Sequence, residues 1–174
     1  WSDVYDDETG FNGLSTFNLS LINFIDLDKE NGSIQKMHVL NGDLLVLQED
    51  AVGILPVNKN IITDAQGNDV VGISTNVLDQ RSYRPYASGR FGISKNPETF
   101  VQSGSRNYFT DQQRGVLIRL ANDGITTIDQ YYLRRYFSDQ MLAHKNSVMI
   151  AGFDTTRDEY LLYLPLLNQT LAFK

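Results

Sequence analysis

The 174-residue chain carries 15 Lys and Arg against 21 Asp and Glu, a net charge of −6 and a pI near 4.8. That balance excludes general tight binding to nucleic acid through a basic surface. A hydrophobic content of 41% with 11% aromatics excludes a disordered tail, and the length fits one domain. The absence of cysteine, with only His38 and His144 as histidines, excludes disulfides, thiolate metal sites, cysteine nucleophiles and a His-rich metal centre.

In chain order, residues 1–16 are acidic, with Asp6, Asp7 and Glu8 in a row, and read as a linker or loop. The chain starts at Trp1 with neither Met nor a signal-peptide pattern, so we expect a segment of something longer. No apolar run approaches the ~18–20 residues that cross a bilayer. Residues 16–28 alternate Phe17, Leu19 and Leu21 with Asn18 and Ser20, the period of a strand. Asp26, Asp28 and Glu30 begin as a calcium loop begins. Asn31 and Met37 stand where that loop requires Gly and an acid, so the match fails and Gly32 is assigned to a turn.

"SIQKMHVLNG" (33–42) alternates with an incomplete apolar side and predicts a partly buried strand. Leu44 to Leu47 are apolar on both faces, as in a strand covered on both sides. Gln48-Glu49-Asp50 is a turn, Val52 to Val57 resumes the run, and further turns precede Ile61-Ile62 and Val70-Val71. Short strands at such intervals imply an antiparallel sandwich, barrel or propeller.

"DQRSYRPYASGR" gathers Arg81, Arg84 and Arg90 around Tyr83 and Tyr86. Such interleaving suits single-strand stacking, or plain Arg–Tyr packing on a solvated loop. Asn96, Pro97 and Glu98 carry three separate helix-start signals and predict a short helix near 97–103. A second helix is predicted in "DQYYLRRYFSDQML" (129–142). Asp129 is its cap, and Leu133, Tyr136, Phe137 and Met141 form its apolar stripe.

A repeating unit emerges when "LLVLQEDAVGILPV" (44–57) is set beside "NYFTDQQRGVLIRL" (107–120). Each is strand, polar turn, strand, and each is followed by another turn and a short β segment, "NKNIIT" and "NDGITTI". "DEYLLYLPLLNQTLAF" (158–173) is a weaker third copy. Propeller blades repeat every ~40–50 residues, and the two helices account for the wider spacing here. The expected fold is therefore all-β and mainly antiparallel, with propeller-like blades and one or two short inserted helices. About three blades occupy 17–174, and more chain or an oligomer is expected to cover the open edges.

"SIQKMHVLNGDLLVLQEDAVGILPV", "FGISKNPETF", "NYFTDQQRGVLIRL" and "GFDTTRDEYLLYL" occur in that order. Together they resemble a virion protein of crAss-like and related tailed bacteriophages, the tail stabilization, nozzle or muzzle protein, over roughly residues 15–164. The family protein is much longer. The resemblance implies a homo-oligomeric ring, hexamer or dodecamer, below the portal and its adaptor rings. It would hold packaged DNA and pass it outward without sequence-specific binding. It implies a location in the phage tail, manufacture in the bacterial cytoplasm, no membrane span, no cofactor, no metal and no catalytic residue. Arg81, Tyr83, Arg84 and Tyr86 are then candidates for subunit contacts, since Arg and Tyr are enriched at interface hot spots. The acidic N-terminal segment is another.

The alternative is a tail-associated module that binds or hydrolyses glycans. Hydrolysis needs two carboxylates at a set separation. Asp154, Asp158 and Glu159 cluster in "GFDTTRDEY", where turn capping explains them equally well. Glycan binding needs exposed aromatics, which Tyr83, Tyr86, Tyr131 and Tyr132 could supply. No Gly-rich phosphate loop and no nucleophile elbow is present.

Overall fold

The computed structural model describes residues 5–16, 24–63, 69–78, 83–86, 90–128, 134–145 and 147–174. The structure is β-rich, with one α-helix among the described residues. The chain divides into two compact units. One comprises Trp1–Asp28, His38–Leu45 and Ile54–Arg84, the other Lys29–Met37, Val46–Gly53 and Pro85–Lys174.

The first unit contains two hairpins. β1 (Tyr5–Asp6) pairs with β2 (Phe11–Asn12) inside the stretch read as an acidic loop. The predicted strand at 16–28 lies partly outside the described residues, and 24–28 have no regular structure. β3 (Ile34–Leu40) and β4 (Asp43–Gln48) are joined by Asn41-Gly42, both at positive φ. Asn-Gly favours this tight turn because both positions must enter the left-handed region. β5 (Val52–Leu55) follows, and the boundary between the units falls within β3, β4 and β5. β6 (Val57–Thr63) and β7 (Asp69–Leu78) form an antiparallel pair with a register shift between Val57 and Lys59. The turn read at "AQGND" lies largely outside the described residues. β8 (Arg84–Pro85) completes a sheet in the order β3–β4–β5–β8.

The second unit adds two antiparallel sheets. β9 (Val101–Ser103), β10 (Arg106–Asp111), β11 (Val116–Ala121) and β12 (Gly124–Thr127) form a meander. β13 (Ile150–Asp154), β14 (Glu159–Leu164) and β15 (Gln169–Phe173) form another. α1 (Arg134–Ala143) lies between them in sequence. Among the described residues no sheet closes on itself.

Burial explains the sequence patterns. On β14, Tyr160, Leu162 and Leu164 are buried while the residues between are half-buried, the alternation of a strand covered mainly on one face. On β10 and β11 both faces are covered. Tyr108 and Leu117 join Phe137, Met141, Met149, Tyr160, Leu162 and Leu164 in one core. On the other face Phe109, Ile118 and Leu120 are fully buried. The registers Phe109↔Ile118 and Thr110↔Leu117 set these two faces. A strand buried on both faces reads as a continuous apolar run, as Val116 to Ile118 do before Arg119 interrupts it.

The hairpins predicted at 44–57, 107–120 and 158–173 are present as β4–β5, β10–β11 and β14–β15. The segments after the first two are not equivalent: β12 pairs with β11, whereas β6 pairs with β7 rather than β5. The helix predicted near 97–103 is only a 3-10 turn, Pro97–Thr99, and residues 101–103 are strand. Asn96 makes no side-chain cap, and Phe100 returns to extended backbone. The second helix forms, with Phe137 and Met141 buried one turn apart, but Tyr136 faces outward. Asp129 and Leu133 lie outside the described residues.

Candidate interaction surfaces

Local geometry in the second unit is fixed by a buried carboxylate. Asp111 ends β10 with its side chain fully buried. Its oxygens accept from the Gly92 amide at 3.2 Å, the Ser94 hydroxyl at 3.1 Å, the Arg114 amide at 3.1 Å and Arg114 Nη1 at 2.8 Å. The same Nη1 donates to Asp50 Oδ1 at 3.0 Å. One guanidinium thus ties the β10–β11 turn to the β4–β5 turn. Burial pulls the Arg114 pKa down, but the hydrogen bonds and charges of Asp111 and Asp50 outweigh it and raise the value above normal.

The β4–β5 turn is held from two sides. Glu49 N donates to Ser33 O, Asp50 N to Asn31 O, Ile93 N to Gln48 O and Ser94 N to Glu49 O. The Glu49 carboxylate accepts from the Ser33 hydroxyl at 2.6 Å and amide at 3.2 Å. Chiefly because of that hydroxyl, its pKa falls below the ordinary 4.5. Gly92 sits so close that a Cβ there would lie 2.0 Å from Glu49 O. Only glycine permits this approach.

The "NPETF" turn makes the next link. Thr99 Oγ1 donates to Asn96 O at 2.9 Å and accepts from the Thr110 amide at 3.3 Å. Tyr160 Oη donates to Thr99 O at 2.8 Å, and burial pushes the Tyr160 phenol far above its normal range. Gln112 Nε2 donates to Ser147 O at 3.1 Å and His144 O at 3.4 Å, satisfying carbonyls just past α1. All four motifs quoted for the virion-protein resemblance therefore meet through this network.

Of the predicted contact residues, Arg81 lies outside the described residues. Tyr83 and Tyr86 are half-buried, and desolvation raises both phenol pKa values. Arg84 is exposed on β8. The Tyr86 amide donates to Val52 O at 2.9 Å. With Pro85, Arg90, Asp50 and Asn31, Tyr86 lines a cleft of ≈ 380 Å³. Chain folding thus brings Arg90 to Tyr86 beside the β4–β5 turn.

A larger cleft of ≈ 720 Å³ opens where the aromatic core reaches the surface. Tyr108, Phe153 and Phe173 supply aromatic walls, and Tyr108 stacks on Phe153 at 5.6 Å between centroids. Arg106, Arg119 and Lys174 supply positive charge, and Asp158 is the acid among the described residues lining it. Arg119 is oriented by Asp123 Oδ2 at 2.6 Å and Thr126 Oγ1 at 3.1 Å. Sequence reading missed this cleft because its cations are dispersed along the chain. The alternation Arg106–Tyr108, opposite Arg119, is the signal that places them on one face.

The acidic cluster near 154–159 does turn work. Asp154 Oδ1 accepts from the amides of Thr156 at 2.8 Å and Arg157 at 3.2 Å, a side chain bonding its own backbone two and three residues on. Among the described residues no group of three or more His, Asp or Glu could hold a metal ion. Among them, too, no helix is long and apolar enough to cross a membrane.

A family model described as the Crassvirus muzzle protein matches residues 15–174. No curated protein matches the chain. The match takes in the four interlocked motifs and nearly everything that builds the network around Asp111, so the chain belongs to the Crassvirus muzzle protein family, structural proteins of the phage virion.

Proposed function

We infer that the chain is a wall element of the tail conduit through which the phage genome is retained and then ejected. Copies assemble as a homo-oligomeric ring below the portal and its adaptor proteins, and the protein has no catalytic role. The family match over residues 15–174 carries this reading. This reading takes the successive sheets of four, four and three strands as blades of a partial propeller. Burial of β10 and β11 on both faces supports that arrangement, because a sheet between two neighbours is covered twice. The net charge of −6 supports a wall that lets duplex slide, since a Lys- and Arg-lined channel would grip phosphates and release counterions. Arg81, Tyr83, Arg84 and Tyr86 are assigned to contacts between subunits or with neighbouring tail proteins.

Imaging of intact virions carrying an epitope in this segment tests the reading. The expected label is a ring of tail density on the axis below the portal. Label on the capsid shell or on a lateral fibre would overturn it. A filter-binding assay at physiological salt gives a second check, with no duplex retention expected beyond the ~10⁻⁴ M end of non-specific affinity.

A further inference from the structure

We propose that the ≈ 720 Å³ cleft between β9–β12 and β13–β15 receives the acidic β1–β2 hairpin of a second copy of this chain, as a head-to-tail contact. The charges on the two surfaces are complementary. Arg106 and Lys174 line the cleft and form no ion pair among the described residues, and Arg119 adds a third cation already held in place by Asp123. Next to them lie Phe153 and Phe173, offering aromatic surface. The size falls within the ~300–1,000 Å³ of sites that enclose a small ligand or a few side chains.

The hairpin is built to present what that cleft lacks. Asp6 turns its carboxylate inward, accepting from the Glu8 amide at 3.0 Å and the Thr9 hydroxyl at 2.6 Å. Those bonds, the hydroxyl first, lower its pKa and fix the turn. Asp7 and Glu8 are left exposed at the tip and form no ion pair among the described residues. Phe11, on the second strand, is 55% exposed, and Leu14 beyond it is 58% exposed. Two carboxylates beside an exposed aromatic ring match two or three cations beside an aromatic wall. A contact between two different surfaces of identical chains is heterologous, and it closes into a ring when the rotation between copies divides a full turn.

The inference rests on the homo-oligomer proposed above, and the test separates their failures. Two variants of the full chain are prepared, Arg106→Glu in the cleft and the pair Asp7→Lys with Glu8→Lys in the hairpin. All three replaced side chains are exposed, and circular dichroism checks that the folds match. Association is followed by sedimentation velocity. Each variant alone is expected to associate at least about tenfold more weakly than the parent, because a like-charge pair replaces an opposite one. An equimolar mixture is expected to associate more strongly than either variant alone, since the unaltered hairpin of one variant then meets the unaltered cleft of the other. Association unchanged in both variants, or no gain on mixing, overturns this contact while leaving the ring intact as a reading. A parent that stays monomeric at every concentration overturns both.

Discussion

Replacing Asp111 with alanine tests the network that joins the family motifs. The substitution removes the acceptor for Gly92 N, Ser94 Oγ, Arg114 N and Arg114 Nη1 at 2.8–3.2 Å. Breaking a buried ion pair costs about 3–5 kcal/mol because the partner is left uncompensated. Here the lower end applies, since the Arg114 side chain is 32% exposed and keeps Asp50 at 3.0 Å. Orphaned amides cost about 1–3 kcal/mol each where water cannot reach them. A loss of about 3 kcal/mol is a large share of the ~5–15 kcal/mol that holds a domain folded. With a urea slope near ~2 kcal/mol/M, the midpoint falls by about 1.5 M. Near-UV circular dichroism is the appropriate signal, because Tyr108, Tyr160 and Phe173 cluster in the same unit. Asp123→Ala removes an exposed pair with Arg119 and serves as the control, costing less than about 1 kcal/mol. If Asp111→Ala shifts the midpoint no more than Asp123→Ala does, the network is ornamental and the account of the motifs fails.

Four further outcomes follow from named contacts. Gly92→Ala drives a methyl into Glu49 O at 2.0 Å and is expected to cost about 3 kcal/mol or more. Gly104→Ala meets nothing within 4 Å and carries only the ~1–2 kcal/mol strain of positive φ, so equal melting shifts would contradict the packing. Tyr160→Phe deletes the hydroxyl that donates to Thr99 O and lowers stability by about 1–2 kcal/mol. In the parent chain, phenolate absorbance from Tyr160 should be missing up to the pH at which the fold is lost. Glu49 binds its proton less tightly folded than unfolded, so its contribution is present above about pH 4.5 and fades as pH falls through the lower folded value. Glu49→Gln should flatten that part of the acid limb, and an unchanged limb would refute it. Gln112→Ala removes the donor to Ser147 O, while His144 O keeps the Ser147 amide and hydroxyl, and amide exchange should quicken in the turn after α1 before it does in β14.

Sheet-forming runs were legible because burial writes directly into residue type. The doubly covered β11 shows an apolar run broken only by Arg119, and β14 shows alternation. The failures have equally local causes. Asn96-Pro97-Glu98 carries every signal for starting a helix, yet no apolar period follows to reward its continuation. Thr99 instead spends its hydroxyl and carbonyl on β10 and β14, and Val101 pairs with Tyr108 in β9. Tertiary partners outcompeted a start signal worth about 1 kcal/mol. "NKNIIT" resembles "NDGITTI" in composition, but β6 finds a longer partner in β7 than β5 could offer. The cleft was illegible for another reason. Arg106, Arg119 and Lys174 are separated by many residues, and only the β10–β11 register and the return of β15 place them together.

The motifs that identified the family contain no chemistry in the catalytic sense, and the structure explains why they are nonetheless specific. In "LQED" the side chains of Gln48, Glu49 and Asp50 reach Gly32, Ser33 and Arg114. In "FGIS" the amide of Gly92 and the hydroxyl of Ser94 reach Asp111. "YFTD" and "RG" supply Asp111, Arg114 and the Gly115 that lies against Ser138 of α1. "DEYL" supplies the Tyr160 hydroxyl that reaches back to Thr99. Each link joins segments distant in sequence, and all but the Gly115–Ser138 approach use a polar atom whose partner is fixed in distance and angle. Apolar burial alone tolerates exchange among Leu, Ile, Val and Met of similar volume. A buried carboxylate with four donors tolerates almost nothing. A structural protein of the virion gains from such links, because they resist sliding of one sheet over the next, a motion that apolar contacts oppose only weakly. The Asp111–Arg114–Asp50 bridge should therefore limit mechanical unfolding of this chain. In single-molecule pulling, Asp111→Ala is expected to lower the rupture force more than a core truncation such as Leu162→Ala of equal equilibrium cost. Equal forces for the two variants would show that the polar bridge adds no mechanical resistance beyond its free energy.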